Sequence, residues 1–126
     1  MEYEYIDLEY AIKIHDLIID EIGGLKGIKD SGQLESVLEH IQNDLYYPTF
    51  ADKLTHLIYS IVQFHMFLDG NKRSALLLGT YFMNINHYSY YIDIFSERME
   101  NVVVDVASGK ISKEQLKEII VELLEL

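Results

Sequence analysis

The chain has 126 residues and a mass of 14.7 kDa, which is the size of a single domain. Hydrophobic residues make up 49% and charged residues 25% of it, a balance that is typical of globular proteins and excludes a disordered chain. A net charge of −11 argues against general binding to nucleic acids or anionic membranes, and the absence of cysteine excludes disulfides and zinc–thiolate sites.

The first predicted elements are a helix and a glycine-rich loop. The N-terminal residues are acidic and lack the basic-then-apolar pattern of a signal peptide. Apolar residues at helical spacing predict a helix over 6–22, which Gly23 and Gly24 should end, and the segment 23–29 predicts a flexible loop. Because no apolar run is long enough to span a bilayer, we expect a cytoplasmic protein without membrane contact.

Two capped helices are predicted next. A polar residue at 30–31 is suited to cap the second helix, which should be broken by Pro48 and the tyrosines before it. Thr49 and Asp52 stand three residues apart, which is the spacing of a capping interaction. We therefore expect a third helix that begins here and continues to Phe64.

The C-terminal half predicts three more helices. An apolar helix should run from about 72 to 85, and weak alternation over 87–92 indicates a short extended piece. A helix over 94–108 should stop at the glycine that follows, and Ser112 with Gln115 forms a capping box for the last helix. The whole chain is therefore predicted to be one compact all-α domain, a bundle of about six helices with a buried central helix.

The segment 65–73, with the sequence HMFLDGNKR, differs from the apolar helices on either side. Asn71 is suited to cap the following helix, which places Lys72 and Arg73 in its first turn. Cations there oppose the helix dipole at a cost of about 0.3–1 kcal/mol each. Because a bound anion would remove the conflict, the backbone N–H groups from Gly70 to Arg73 predict a phosphate-binding cradle.

Three neighbouring side chains suit phosphate chemistry. Asp69 adjoins the cradle, and a carboxylate beside phosphate oxygens is how proteins usually hold Mg²⁺. His65 follows the third helix and is placed to act as a general base, although a hydrogen-bonded loop histidine is the simpler interpretation of that residue alone. Phe67 should turn inward as an anchor, while Met66 and Leu68 should face other ways. These parts suit phosphoryl or nucleotidyl transfer, with a catalytic transition metal on His65 and Asp69 as an alternative.

The segment 65–73 also resembles the signature of the Fic fold. Its Asn-Lys-Arg ending is closest to the death-on-curing (Doc) branch, the toxins of toxin–antitoxin modules. The likeness extends to 23–38, 47–53 and 106–112, and so covers nearly the whole chain. The resemblance implies one role for each motif residue: base for His65, core anchor for Phe67, Mg²⁺ ligand for Asp69, anion hole for Gly70 and Asn71, and phosphate neutralisation for Lys72 and Arg73.

Two departures from the AMP-transferring Fic pattern bear on the reaction. Those enzymes carry a second glycine where this chain has Lys72 and a further arginine where it has Leu76. In Doc-like proteins the nucleotide is reversed, so the resemblance implies transfer of the γ-phosphate of ATP, or another nucleoside triphosphate, to a hydroxyl of a translation factor resembling elongation factor Tu. Transfer of AMP or another nucleotidyl group, and a non-catalytic nucleotide-binding module, are the alternatives.

The remaining expectations concern partners. The loop 23–29 is either a simple connection or, as in Fic proteins, a flap that docks the target by strand-like pairing. Its candidate contacts are Lys26, Gly27 and Ile28. The resemblance also implies a cognate antitoxin, and the acidic surface suits a basic antitoxin segment. The other four histidines are expected to be surface or core residues without a matching acid: His15, His40, His56 and His87.

Overall fold

The computed structural model describes residues 2–25, 28, 31–68 and 70–126. Over these residues the chain forms six α-helices and one short 3₁₀ helix at Ser89–Tyr91. The α-helices are α1 (Leu8–Ile22), α2 (Ser31–His40), α3 (Phe50–Phe64), α4 (Asn71–Ile85), α5 (Ile92–Ala107) and α6 (Lys113–Leu123). The predicted all-α fold of about six helices is therefore confirmed. In the part of the chain that is described, no helix combines the length and apolar content needed to cross a membrane.

The two capping interactions predicted at the starts of α3 and α6 form. The hydroxyl of Thr49 accepts from the N–H of Asp52 at 3.1 Å, and the Asp52 carboxylate accepts from the N–H of Thr49 at 3.1 Å. The same reciprocal pair joins Ser112 and Gln115 at 3.1 and 2.9 Å. Helix α1 ends at Gly23 as predicted, with a φ of 80° that favours glycine.

A buried lysine holds the connection between α2 and α3. Helix α2 ends well before the predicted break, and Lys53 of α3 reaches back beneath the connection. Its ammonium donates to the carbonyl of Ile41 at 2.6 Å and to Asp44 Oδ1 at 2.7 Å. The rings of Tyr3 and Tyr5 lie 5.5 Å from the same nitrogen, so the N-terminal segment is fixed over this connection. The charge is thus buried with hydrogen-bonding partners and aromatic faces around it.

The segment 87–92 is not extended, and that prediction was wrong. A 3₁₀ turn forms there instead and leads directly into α5, which begins two residues earlier than predicted. The Tyr88 ring stacks on Phe50 at 4.3 Å, and the Tyr91 hydroxyl donates to Glu125. These tertiary contacts fix the tyrosines without any strand pairing.

Helices α3 and α4 form the centre of the bundle and carry the candidate site between them. Helix α3 packs mainly against α4 and α6, and α4 also packs against α1 and α5. The helices approach closely at Gly79, where a Cβ atom would lie only 2.9 Å from Ile58 Cδ1. Helix α4 is buried on one side but not all round, because Leu77 remains 42% exposed. The loop from His65 to Gly70 thus joins the two most central helices.

Candidate active site

The candidate site begins where α3 ends. His65 is the C-cap of this helix and has a left-handed backbone, with φ 47° and ψ 59°. A non-glycine residue in this conformation is uncommon and costs of order 1–3 kcal/mol, and such strain clusters at functional positions. The His65 side chain is exposed to solvent. The turn therefore presents an accessible imidazole at the start of the loop.

The next two residues enter the hydrophobic core. Met66 is 0% exposed and Phe67 is 1% exposed, whereas Leu68 is 54% exposed. The expectation that Met66 faces away from the core was wrong. The left-handed turn at His65 carries the chain inward for two consecutive residues, and core side chains cover both of them. The loop is therefore anchored by two side chains rather than one.

Asn71 fixes the loop through hydrogen bonds rather than by capping α4. Its Oδ1 accepts from the N–H of Phe67 at 2.9 Å, and its Nδ2 donates to the carbonyl of Phe67 at 3.0 Å. The prediction of Asn71 as the N-cap was wrong by one residue, because Gly70 takes that position with a φ of 71°. The Asn71 side chain forms both of these hydrogen bonds with the loop backbone, and no side chain caps the start of α4.

Gly70 occupies a position that no larger residue fits. Its left-handed backbone already favours glycine, and a Cβ atom would lie 3.1 Å from Ile19 Cδ1. Its carbonyl accepts the first helical hydrogen bond, from the N–H of Ser74 at 2.9 Å. The absence of a side chain therefore lets α1 pack closely against the backbone at the start of α4.

Lys72 and Arg73 lie in the first turn of α4, as the sequence predicts. Both side chains are exposed, and no acidic residue occupies that turn. Within the described part of the chain, neither side chain forms an ion pair with a carboxylate. Two cations and the positive end of a helix dipole therefore coincide at one helix terminus.

A cleft of about 480 Å³ opens at this terminus. The residues Gly70 to Arg73 line one side of it, and Ile22 of α1 lines another. Helix α5 closes it with Glu100, Val103 and Val104. Leu76, one turn into α4, supplies an apolar wall to this cleft and to a smaller neighbouring one of about 250 Å³. The volume is within the range of small-molecule sites.

Part of the loop 23–29 lies beside the motif. Ile28 forms an isolated antiparallel bridge with Phe67, so the backbones of the two loops run side by side. Lys26 and Gly27, the other candidate flap contacts, lie outside the described residues, as does Asp69. The bridge shows that this connection adopts strand-like pairing at one position, next to the candidate base.

His15 is a residue near the site that the sequence interpretation missed. It is fully buried, and its ring is stacked on Phe67 with a centroid distance of 3.9 Å. Its Nδ1 lies 3.3 Å from Asp16 Oδ1, so the expectation that it has no matching acid was wrong. The only signal was a histidine on the apolar face of α1, which predicts burial but not what it contacts.

Comparison with known proteins identifies the family. The model of the Fic/DOC family matches residues 5–83, which is well over half of the chain and includes the whole loop between α3 and α4. The chain belongs to the Fic/DOC family. It is 31% identical over 113 residues to "Protein kinase doc" of Escherichia phage P1, with 86% of each protein covered.

A second relative also matches most of the chain. This Fic/DOC protein is 29% identical over 109 residues to "Toxin Doc" of Mycolicibacterium smegmatis, with 83% of this chain and 82% of that protein covered. The coverage shows that the Fic/DOC chain and both relatives correspond over most of their lengths.

Proposed function

We propose that this Fic/DOC protein is a Doc-like toxin that transfers the γ-phosphate of ATP, or another nucleoside triphosphate, to a serine or threonine hydroxyl. The observation that carries the proposal is the first turn of α4, where Lys72 and Arg73, which form no ion pair within the described chain, border a cleft. Exposed His65 begins the loop that leads into this turn but does not itself line the cleft. The names of the two relatives, a protein kinase and a toxin, support the same reading.

The residues present fit a triphosphate. The residues from Gly70 to Arg73 line the cleft, and the N–H groups of a helix's first turn are suited to bind phosphate oxygens. Lys72 and Arg73 supply positive charge, and no carboxylate of the described chain lies within ion-pair distance of either. Asp69 is the proposed Mg²⁺ ligand, and a bound Mg²⁺ would neutralise phosphate charge there.

His65 is the proposed general base. In the reaction, the imidazole takes the proton of the target hydroxyl as its oxygen forms a bond to the γ-phosphorus, and the bond to the leaving diphosphate breaks. An accessible imidazole is required for this role because the acceptor is a side chain of another protein. The Ile28–Phe67 bridge supports docking of that target as an additional extended segment on the loop 23–29.

The cleft wall favours phosphoryl transfer over AMP transfer. Lys72 occupies the position at which the AMP-transferring pattern has a glycine, and Leu76 presents an apolar side chain where that pattern has an arginine. Compared with the AMP-transferring pattern, the cleft therefore lacks one positively charged side chain that binds phosphate and has a bulkier residue at the start of α4. These two residues are the reason to prefer a kinase to a nucleotidyltransferase.

We further propose that the acceptor is a translation factor resembling elongation factor Tu, that its modification arrests growth, and that a cognate antitoxin restrains the activity. Such a toxin would act in the cytoplasm, where its target is. The net charge of −11 suits an antitoxin segment that is basic.

The decisive experiment incubates the purified protein with cell lysate and ATP labelled at either the α or the γ position. We expect protein-bound label from the γ position only. Label from the α position alone would establish nucleotidyl transfer, and no label from either position, with ATP still bound, would establish a non-catalytic module.

A matched pair of variants tests the base. His65→Ala should abolish both label transfer and growth arrest. His87→Ala is the control, because His87 is also exposed and also has a left-handed backbone, with φ 71°. The two variants should lose similar stability, and only the first should lose activity. A folded His65→Ala protein that remains toxic refutes the proposed role.

A further inference from the structure

A second cleft lies away from the candidate active site. It has a volume of about 340 Å³ and lies between the start of α6, the first half of α3 and the connection that precedes α3. None of its lining residues belongs to the segment 65–73. We call it the α6 cleft, and its defining residues are Thr55 and Lys113.

The floor of the α6 cleft contains an unsatisfied hydroxyl. Thr55 is 2% exposed and lines the cleft, and its Oγ1 has no hydrogen-bond partner among the residues that the structure describes. Burial of a hydroxyl without a partner costs of order 1–3 kcal/mol, so such groups are rare in stable proteins. A ligand oxygen in the cleft would satisfy this group.

A lysine without a salt bridge in the described part of the chain forms one wall of the α6 cleft. Lys113 donates from Nζ to His56 Nδ1 at 2.8 Å and lies 5.6 and 5.8 Å from the ring centroids of Tyr47 and Tyr59. No carboxylate of the described chain lies within ion-pair distance of it. Its nearest neighbours are therefore a ring nitrogen and two aromatic faces, and the Asp52 carboxylate, which is paired with Lys117, acts on its charge only over a longer distance.

The histidine beside Lys113 is itself neutral. Desolvation, together with the charges of Lys113 and His40, lowers the pKa of His56 to about 4. Its Nδ1 accepts from Lys113, which leaves Nε2 to donate to His40 Nδ1 at 3.2 Å. The imidazole therefore carries no charge that could balance that of Lys113, and it contacts the ammonium only as a hydrogen-bond acceptor.

The charged residues at the mouth of the α6 cleft limit the charge of an anion that could bind there. Lys117 and Asp52 neutralise each other through an ion pair at 2.6 Å, and Glu114 adds one further negative charge at the mouth. An anion with several charges would be repelled by these carboxylates, whereas a single charge matches Lys113. Two tyrosine rings, of which Tyr46 is 73% exposed, offer flat faces to a planar group.

We propose that the α6 cleft binds a small planar monocarboxylate, with the carboxylate recognised by Lys113 and Thr55 and the planar group held against the tyrosines. This site is independent of the kinase proposal, since it shares no residue with the nucleotide cleft. A volume near the lower end of the range for ligand sites indicates a molecule smaller than a nucleotide.

The test titrates the wild-type chain with benzoate and with benzamide, its neutral counterpart, and follows the backbone amide NMR signals of Thr55 and Lys113. Benzoate should shift both signals saturably, and benzamide should bind at least about tenfold more weakly. Thr55→Val and Lys113→Met should each weaken benzoate binding about tenfold, because each removes one interaction with a charged group. The exposed lysine variant Lys110→Met should bind benzoate like the wild type.

Thermal melting gives a second readout that does not depend on affinity. Thr55→Val removes an unsatisfied buried hydroxyl at nearly constant volume, so the ligand-free variant should melt at the same or a higher temperature than the wild type. The proposal is overturned by a lower melting temperature in Thr55→Val, by equal binding of benzoate and benzamide, or by benzoate shifts that persist in both variants.

Discussion

The imidazole ring of His15 lies parallel to the ring of Phe67, with 3.9 Å between centroids and 5° between planes. The contact joins the middle of α1 to the anchor of the loop that carries His65. A Cβ atom on Gly70 would lie 3.9 Å from His15 Nε2, so the same imidazole also approaches the start of α4. His15 therefore packs against the buried side of the loop at Phe67 and lies near the end of the loop at Gly70.

Replacing this imidazole should reduce activity more than stability. His15→Leu places an apolar side chain of similar size in the same buried position but removes the ring that stacks on Phe67. Because small misplacements of catalytic groups are costly, we expect transfer activity to fall by roughly ten- to a hundredfold, with a melting temperature within a few degrees of the wild type. Leu17→Ala, at an exposed position of α1, is the control. Full activity in His15→Leu would mean that the stack does not position the loop.

The side chain of Asn71 should account for measurable folding stability. Asn71→Leu leaves the N–H and the carbonyl of Phe67 without their partner, at a cost of about 2 kcal/mol in the free energy of unfolding. Denaturant unfolding measures this loss. The control is Asn84→Leu, at an exposed position of the same helix, which should change stability by less than about 0.5 kcal/mol. Equal effects of the two variants would contradict the structural role of Asn71.

Gly79 should be required for the packing of α4 on α3. In a helix interior, Gly→Ala usually stabilises by up to about 1 kcal/mol. Here the added Cβ would lie 2.9 Å from Ile58 Cδ1, and overpacking of a buried contact costs about 1–3 kcal/mol. We therefore expect net destabilisation of Gly79→Ala in denaturant unfolding. Ile58→Val removes the opposing Cδ1 atom and should relieve part of the loss when the two changes are combined; additive losses would exclude the clash.

Stability should depend on pH through His56. Burial lowers the pKa of this imidazole from 6.5 to about 4, so the unfolded chain takes up the proton first as the pH falls. The contribution of the buried, neutral His56 to the free energy of unfolding is fully present above pH 6.5 and is lost progressively between pH 6.5 and about 4. His56→Gln should show a smaller loss of unfolding free energy between pH 7 and pH 4.5 than the wild type. Parallel pH profiles for the two proteins would exclude this coupling.

Local signals predicted much of the fold correctly. The two capping boxes join residues three positions apart, so spacing alone was enough to place the starts of α3 and α6. The end of α1 at Gly23 follows from the same kind of local rule. The error at Asn71 had a local cause as well, because its amide pairs with the backbone of Phe67 instead of capping its own helix.

Contacts between distant residues could not be predicted in this way. His15 and Phe67 meet through the packing of α1 against α4, and no pattern in either segment indicates the other. The same is true of Lys113 and His56, which are 57 positions apart. The prediction of an extended segment at 87–92 was wrong because tertiary contacts, the stacking of Tyr88 on Phe50 and the hydrogen bond from Tyr91 to Glu125, determine how these tyrosines lie.

The segment 65–73 divides into residues that hold its shape and residues that face the surroundings. Met66, Phe67 and Asn71 are tied to the interior, whereas Lys72 and the nearby Leu76 border open space. Substitutions at the second group leave the packing of the first intact. Under the proposed function, exchanging one or two of these exposed side chains would change how a nucleotide is oriented while the buried anchors of the loop stay in place.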